Sequence, residues 1–195
     1  MKKNWFLVIA ILVFAPFAVF AQGLSGETEV GSDGKGQGFF SQYLIYDTRH
    51  VNVLTRYFYV NGVLQRGEFA LGPTAHFGKE NILQFQFGGT TDKEATLAGL
   101  LIVKINGHAV VYIGDAKVAT QDGPNTYFQK IFVALTKKNN WKFRAEGLQV
   151  GTRQSFLRIG AEYTHKLPDN AHLFVAPFYD PIRKAVGGQF GLRFF

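Results

Sequence analysis

The side chains with the most chemistry in this chain are charged residues spaced two or four apart. Arg144 and Glu146 are followed, beyond a turn signal at Gly151, by Arg158 and Glu162, and Lys130 precedes them. Even spacing places such residues on one face of a β-strand, where every second side chain points the same way. A five-residue loop at Thr136 to Asn140 sets Lys130 opposite Glu146 and Leu135 opposite Trp141. A short loop at Gly151 to Arg153 brings either Glu146 to Arg158 or Arg144 to Glu162. A three-residue turn at Asn61 to Val63 sets Arg56 opposite Glu68. Independent turns thus gather opposite charges on one face, and cross-strand ion pairs are modestly favourable. Three settings fit such a face: the solvated side of a soluble sheet, a charged pore constriction, or a salt-bridged barrel core without a wide channel. The last is preferred, because small barrels fill their interiors with side chains.

A second inner region reads as apolar. The Asn106-Gly107 turn sets Val103 opposite Val110 and Leu101 opposite Tyr112 on one face. Leu100, Ile102, Val111 and Ile113 then share the other face, and Phe128 and Phe132 follow on the next strand. Core packing is the plain reading, and a pocket for a small apolar or amphipathic molecule is the sharper one.

Enzymatic chemistry finds little support. A serine hydrolase needs hydroxyl and imidazole within hydrogen-bond reach. Ser155 and His165 share a strand face but lie too far apart at a rise of roughly 3.3 Å per residue. Ser41 meets His50 only if their registers align. His165 is expected opposite His172 across the turn at Leu167 to Asn170, yet no third metal ligand stands near them. No catalytic residue, metal or cofactor is therefore assigned.

The elements that must position these residues alternate with period two, not 3.6. Val51, Val53, Thr55 and Tyr57 alternate with Asn52, Leu54 and Arg56; Leu83, Phe85 and Phe87 alternate with Gln84 and Gln86. Turn signals recur at short intervals, among them Asn61-Gly62, Asn106-Gly107, Pro168-Asp169-Asn170 and Asp180-Pro181. The pattern gives about eleven strands of about ten residues, the length a tilted membrane strand needs. Single-chain barrels carry even strand numbers, so ten or twelve are expected. The fold class is all-β, an antiparallel up-and-down transmembrane barrel over residues 39–195.

The N-terminus reads as an export signal. Lys2 and Lys3 precede an apolar run from Trp5 to Phe20, and Val19 and Ala21 fit a small-residue cleavage site after residue 21. Residues 22–38 are rich in Gly, Ser and acid, and read as a flexible tail. The chain has no cysteine, which excludes disulfides and thiolate chemistry. Its net charge of +7 points to anionic lipid head groups rather than nucleic acid, which an exported chain seldom meets.

Alternation alone leaves open whether the apolar face meets lipid or a soluble core, and a soluble periplasmic β-protein is the alternative. The last strand, Gln189-Phe190-Gly191-Leu192-Arg193-Phe194-Phe195, ends in aromatic residues. With the export signal, it resembles the bacterial outer-membrane β-barrel superfamily. That resemblance implies an outer-membrane location, contact with outer-membrane lipids, and recognition of Phe190, Leu192, Phe194 and Phe195 by the barrel-insertion machinery. Two functions follow as expectations: a structural, barrier or surface-interaction role, or a narrow channel or carrier for a small solute.

Overall fold

In the computed structural model, residues 24–194 are described apart from 34, 49, 79, 120–122, 137, 139 and 169. The segment expected to be an export signal, residues 1–21, and Phe195 lie outside the described residues. Twelve strands follow one another: β1 (Leu24–Ser32), β2 (Gly38–Asp47), β3 (Val51–Val60), β4 (Val63–Phe77), β5 (Asn81–Thr90), β6 (Glu94–Ile105), β7 (His108–Ala119), β8 (Thr126–Ala134), β9 (Trp141–Val150), β10 (Arg153–Lys166), β11 (Ala171–Asp180) and β12 (Ala185–Phe194). Each pairs antiparallel with its neighbours, and β1 closes on β12. Closure leaves no unpaired edge, the condition a sheet must meet to cross a bilayer.

Two-residue hairpins set much of the register. Asn61 and Gly62 both have positive φ, as do Asn106 and Gly107, the conformation whose twist matches the flanking strands. The first hairpin was expected to have a three-residue turn. It has a two-residue turn with a register shift between Phe58 and Tyr59, and Arg56 lies opposite Glu68. A similar shift between Gln154 and Phe156 sets Glu146 opposite Arg158. The longest connections, 120–125 and 135–140, have six residues.

Residues 24–32 correct the expectation of a flexible tail. They form β1, paired along Gly26–Ser32 with β12 and along Leu24–Ser32 with β2. Their low apolar content suggested a segment unable to offset its ordering entropy. In the barrel, ladders on both sides satisfy the backbone, and the acidic side chains find partners in the interior.

The faces are ordered as in a membrane barrel. On β5, Phe85 is 47% exposed while its neighbours Gln84 and Gln86 are each 2% exposed. Phe69, Phe87, Leu97, Val175 and Phe190 are likewise exposed, while Glu27, Glu68, Lys130, Arg144, Glu146 and Glu162 are buried. A soluble sheet would show the reverse. Aromatic residues stand at both ends of the outer face. Tyr46, Trp141 and Tyr163 lie toward the rim that holds the start of β1 and the end of β12, here the terminal rim. Tyr57, Tyr59, Tyr127 and Tyr179 lie toward the far rim. Such girdles sit at membrane–water boundaries.

The wall bends sharply in places. β3 approaches β5 and β4 approaches β6, although neither pair shares a ladder. At the inward position Gly88, an added Cβ would collide with the Phe69 carbonyl oxygen; at Gly160 it would collide with that of Pro177. Glycine permits this close approach of neighbouring strands and the curvature that goes with it.

Candidate functional site: an ion-paired belt across the lumen

The inner face of β8 to β12 carries Lys130, Lys142, Arg144, Arg158 and Arg193, and β1, β9 and β10 carry Glu27, Glu29, Glu146 and Glu162. Lys130 Nζ lies 2.7 Å from Glu27 and 3.3 Å from Glu29. Arg144 reaches Glu29 at 2.9 Å, Glu146 at 3.0 Å and Glu162 at 3.2 Å. Arg158 meets Glu146 at 2.8 Å, Lys142 meets Glu162 at 3.1 Å, and Arg193 meets Glu162 at 2.8 Å. Arg193 also donates to Glu27 through two nitrogens.

These pairs cross the lumen. Around the ring, β1 is five strands from β8 and four from β9. Side chains of Lys and Glu can meet over that span only where opposite walls draw together. A second bridge does the same on the other side. Arg56 on β3 pairs with Asp115 on β7, and Lys117 on β7 pairs with Asp115 at 2.6 Å and Glu68 at 3.2 Å. The interior is therefore spanned at two places by networks anchored on distant strands.

Aromatic rings support the cations. Lys130, Arg144 and Arg193 lie 5.2, 5.4 and 5.0 Å from the Phe132 ring centre. Arg158 is surrounded by Phe39, Phe156 and Phe178 at 4.7, 4.3 and 4.8 Å. A cation over a ring face is attracted by the ring quadrupole, more strongly when both are away from water. A small recess beside the belt is lined by Arg144, Glu146, Arg158 and Gln189.

With this geometry established, its likeness to known proteins is one of fold. No protein-family model matches the chain, and no curated protein matches its sequence. Among solved structures, the KdgM porin is similar at a TM-score of 0.59 and 11% identity, covering 88% of this chain and 98% of that one. The same porin in complex with disordered oligogalacturonate gives a TM-score of 0.58 at 10% identity, with the same coverage. The Acinetobacter baumannii outer-membrane protein Omp33 gives 0.50 at 10% identity, covering 88% of this chain and 97% of that one. What the chain shares with these proteins is the closed antiparallel barrel fold.

The charged residues named from the sequence fall into both networks. Lys130, Arg144, Glu146, Arg158 and Glu162 lie in the larger one, and Arg56 and Glu68 in the smaller. Lys130 lies opposite Glu146 in register, but its ammonium group reaches across to Glu27. Of the two alternatives at Gly151, the ladder sets Glu146 opposite Arg158, and Arg144 reaches Glu162 diagonally. Sequence reasoning missed Glu27, Glu29, Asp115, Lys117, Lys142 and Arg193. A signal was present: Glu27 and Glu29 alternate with Gly26, Thr28 and Val30, and Arg193 stands between Leu192 and Phe194.

The six apolar residues do not form one patch. Leu100, Ile102, Val111 and Ile113 line the inner face of β6 and β7 in mutual register. Leu100 packs against a core of Ile45, Leu54, Ala70 and Ala98. Phe128 and Phe132 instead serve as platforms for Arg56 and for the larger belt. Phe190, Leu192 and Phe194 alternate on β12 with inward Gln189, Gly191 and Arg193. His165 and His172 were expected to face each other. Lys166 is the register partner of His172, and His165 is opposite Leu173, so the two imidazoles point to different sides of the sheet. Ser155 and His165 stand toward opposite ends of β10, and Ser41 lies within β2 while His50 is in the following turn.

Proposed function

We propose that this protein is an outer-membrane barrel whose lumen is closed by its own ion pairs, with a structural and barrier role in the cell envelope. The observation that carries this reading is the meeting of Glu27 and Glu29 on β1 with Lys130 and Arg144 on β8 and β9. Breaking such a network exposes buried, unpaired charge, which costs several kcal/mol, so it resists casual opening. The short connections support the same reading, since neither rim offers a long loop for a surface-binding role. Export through a cleaved N-terminal signal and insertion guided by the last strand belong to this proposal. Its test is conductance in planar bilayers. The unaltered protein is expected to pass negligible current, and Glu27→Gln with Glu29→Gln to open a steady anion-selective leak. Porin-sized conductance from the unaltered protein would overturn it.

A narrow channel for a small acidic solute is the second reading. It is favoured by the five cations against four carboxylates in the larger belt, and by Arg183 and Arg158 flanking Phe156 at 5.6 and 4.3 Å toward the far rim. One porin of similar fold is known in complex with oligogalacturonate, an acidic oligosaccharide. Uptake of galacturonate oligomers into vesicles holding the unaltered protein would raise this reading to first place.

A further inference from the structure

Gln189, on the inner face of β12, leaves one end of its amide without a protein partner. The residue is 3% exposed. Its Nε2 donates to Glu146 Oε1 at 2.8 Å. A carboxylate only accepts, so this bond fixes which way the amide points. The other end, Oε1, is buried, and among the described residues no group donates to it. In folded proteins a buried acceptor of this kind is paired with a protein group or with ordered water in the large majority of cases.

The register leaves space beside this oxygen. Arg144 lies opposite Gly160, and Glu146 opposite Arg158. Gly160 in turn lies opposite Phe178, and Ala176 opposite Gln189. Long charged side chains thus stand next to two inward positions that carry only a hydrogen and a methyl group. The recess between them is lined by Arg144, Glu146, Arg158, Ala176, Phe178 and Gln189. For the centre of a water-sized sphere it has about 10 Å³, and one water molecule needs about 10–15 Å³ by that measure. The lining selects the occupant. A cation would meet Arg144 and Arg158, and an anion would meet Glu146 and the Gln189 carbonyl oxygen. A neutral molecule that both donates and accepts suits every side, and the size admits water alone. Arg158 gives one N–H to Glu146 at 2.8 Å, and its guanidinium carries further donors.

We propose that this recess binds one ordered water molecule, which donates to Gln189 Oε1 and accepts from the Arg158 guanidinium. The water joins β12 to β10 and completes the hydrogen bonding around Glu146, so it is a structural part of the belt. The inference rests on the closed-lumen reading, because in an open channel the same oxygen would face bulk water.

Ala176 is 1% exposed and faces the recess, so its methyl group reports on the occupant. The experiment is nuclear magnetic resonance of the unaltered barrel in detergent micelles, with alanine methyl groups labelled. It reads magnetisation transfer from water to those methyl protons. Ala176 is expected to show a cross-peak whose sign is opposite in laboratory-frame and rotating-frame spectra, the signature of a long-lived water. The peak should persist at mildly acidic pH, where side-chain N–H exchange is slow and cannot relay it. Ala70, fully buried with Ile45, Leu54 and Ala98, is expected to show none. Gln189→Met keeps the side-chain length but removes the acceptor, and should abolish the Ala176 peak in a barrel that keeps its heat-dependent gel mobility. No peak at Ala176 in the unaltered protein would overturn the water site and leave the closed lumen standing. A peak of the same sign in both spectra, from rapidly exchanging solvent, would overturn both. A peak that survives Gln189→Met would overturn the assignment to Gln189.

Discussion

Lys130 on β8 holds its Nζ 2.7 Å from Glu27 on β1, but 4.0 Å from Glu146, its register partner on β9. The strand ladder thus names one neighbour and the lumen selects another. A double-mutant cycle separates them. Lys130→Met alone leaves a buried carboxylate short of a partner, a loss of about 3–5 kcal/mol. Coupling between Lys130 and Glu27 is expected to exceed that between Lys130 and Glu146, measured by reversible unfolding in lipid or detergent. Coupling for both pairs within the ~0.2–1 kcal/mol of exposed ion pairs would mean that the belt is hydrated and the lumen open.

How far the sequence reached follows from the same residues. Arg56 with Glu68, and Lys130 with Glu146, are legible because a hairpin turn and a two-residue period suffice to pair them. The meander and its faces are local in the same sense, so the all-β barrel could be read from them. The strand count stays uncertain from the sequence because β1 has only Leu24 and Val30 as apolar side chains and reads as a tail. Losing β1 hid Glu27 and Glu29, and with them the partners of Lys130 and Arg144. Pairs across the lumen, such as Arg56 with Asp115, depend on how the closed wall curves, which no local pattern encodes. Phe128 and Phe132 show the same limit: their hydrophobicity suggested a pocket, while the cations above them give them another task.

The outer face should behave as a lipid surface. Ile131 and Ile159 lie mid-strand on it, each opposite Ala145 on β9. Arginine at either place is expected to cost roughly 2–4 kcal/mol of folding stability in bilayers. Spin labels at Val53, Phe85, Leu101, Val133 and Ile159 should be accessible to dissolved oxygen and shielded from water-soluble relaxation agents. The opposite accessibility pattern would point to a soluble fold.

Asp33, in the turn after β1, gives a pH-dependent contribution from outside the membrane. Burial pushes its carboxyl up, but N–H donors of Lys35 and Gln37 at 2.8 and 3.0 Å, together with Arg183, outweigh this and hold it below the usual value. The folded state therefore releases this proton at lower pH than the unfolded chain does. Its stabilisation is present above the ordinary carboxyl value of about 4 and fades as pH falls through the folded value. Asp33→Asn should thus lower stability at neutral pH, and the gap to the unaltered protein should narrow on acidification. A gap that stays constant from neutral to strongly acidic pH would show that the carboxylate charge contributes nothing to the turn.

Two adjacent glycines on β5 provide a sharp test of the wall's curvature. Gly88 faces inward, opposite Ala70 and Thr96, where a Cβ would overlap the Phe69 carbonyl oxygen and the Ala70 backbone. Neither neighbour is the end of a flexible side chain, so the strand itself would have to shift. At Gly89 the nearest atom to an added Cβ is the Glu94 carbonyl oxygen at 3.5 Å, an ordinary contact. Overpacking at a tight position costs about 1–3 kcal/mol or more, while a tolerated surface change stays within about 0.5 kcal/mol. Gly88→Ala is expected to reduce sharply the fraction of protein reaching the heat-modifiable folded form, and Gly89→Ala to leave it unchanged. The two substitutions add the same methyl group to neighbouring residues, so composition and β-propensity are matched. Equal folded yields would mean that β4 and β5 do not approach so closely, and that the sharp bend beside β3 and β6 is relaxed in the membrane.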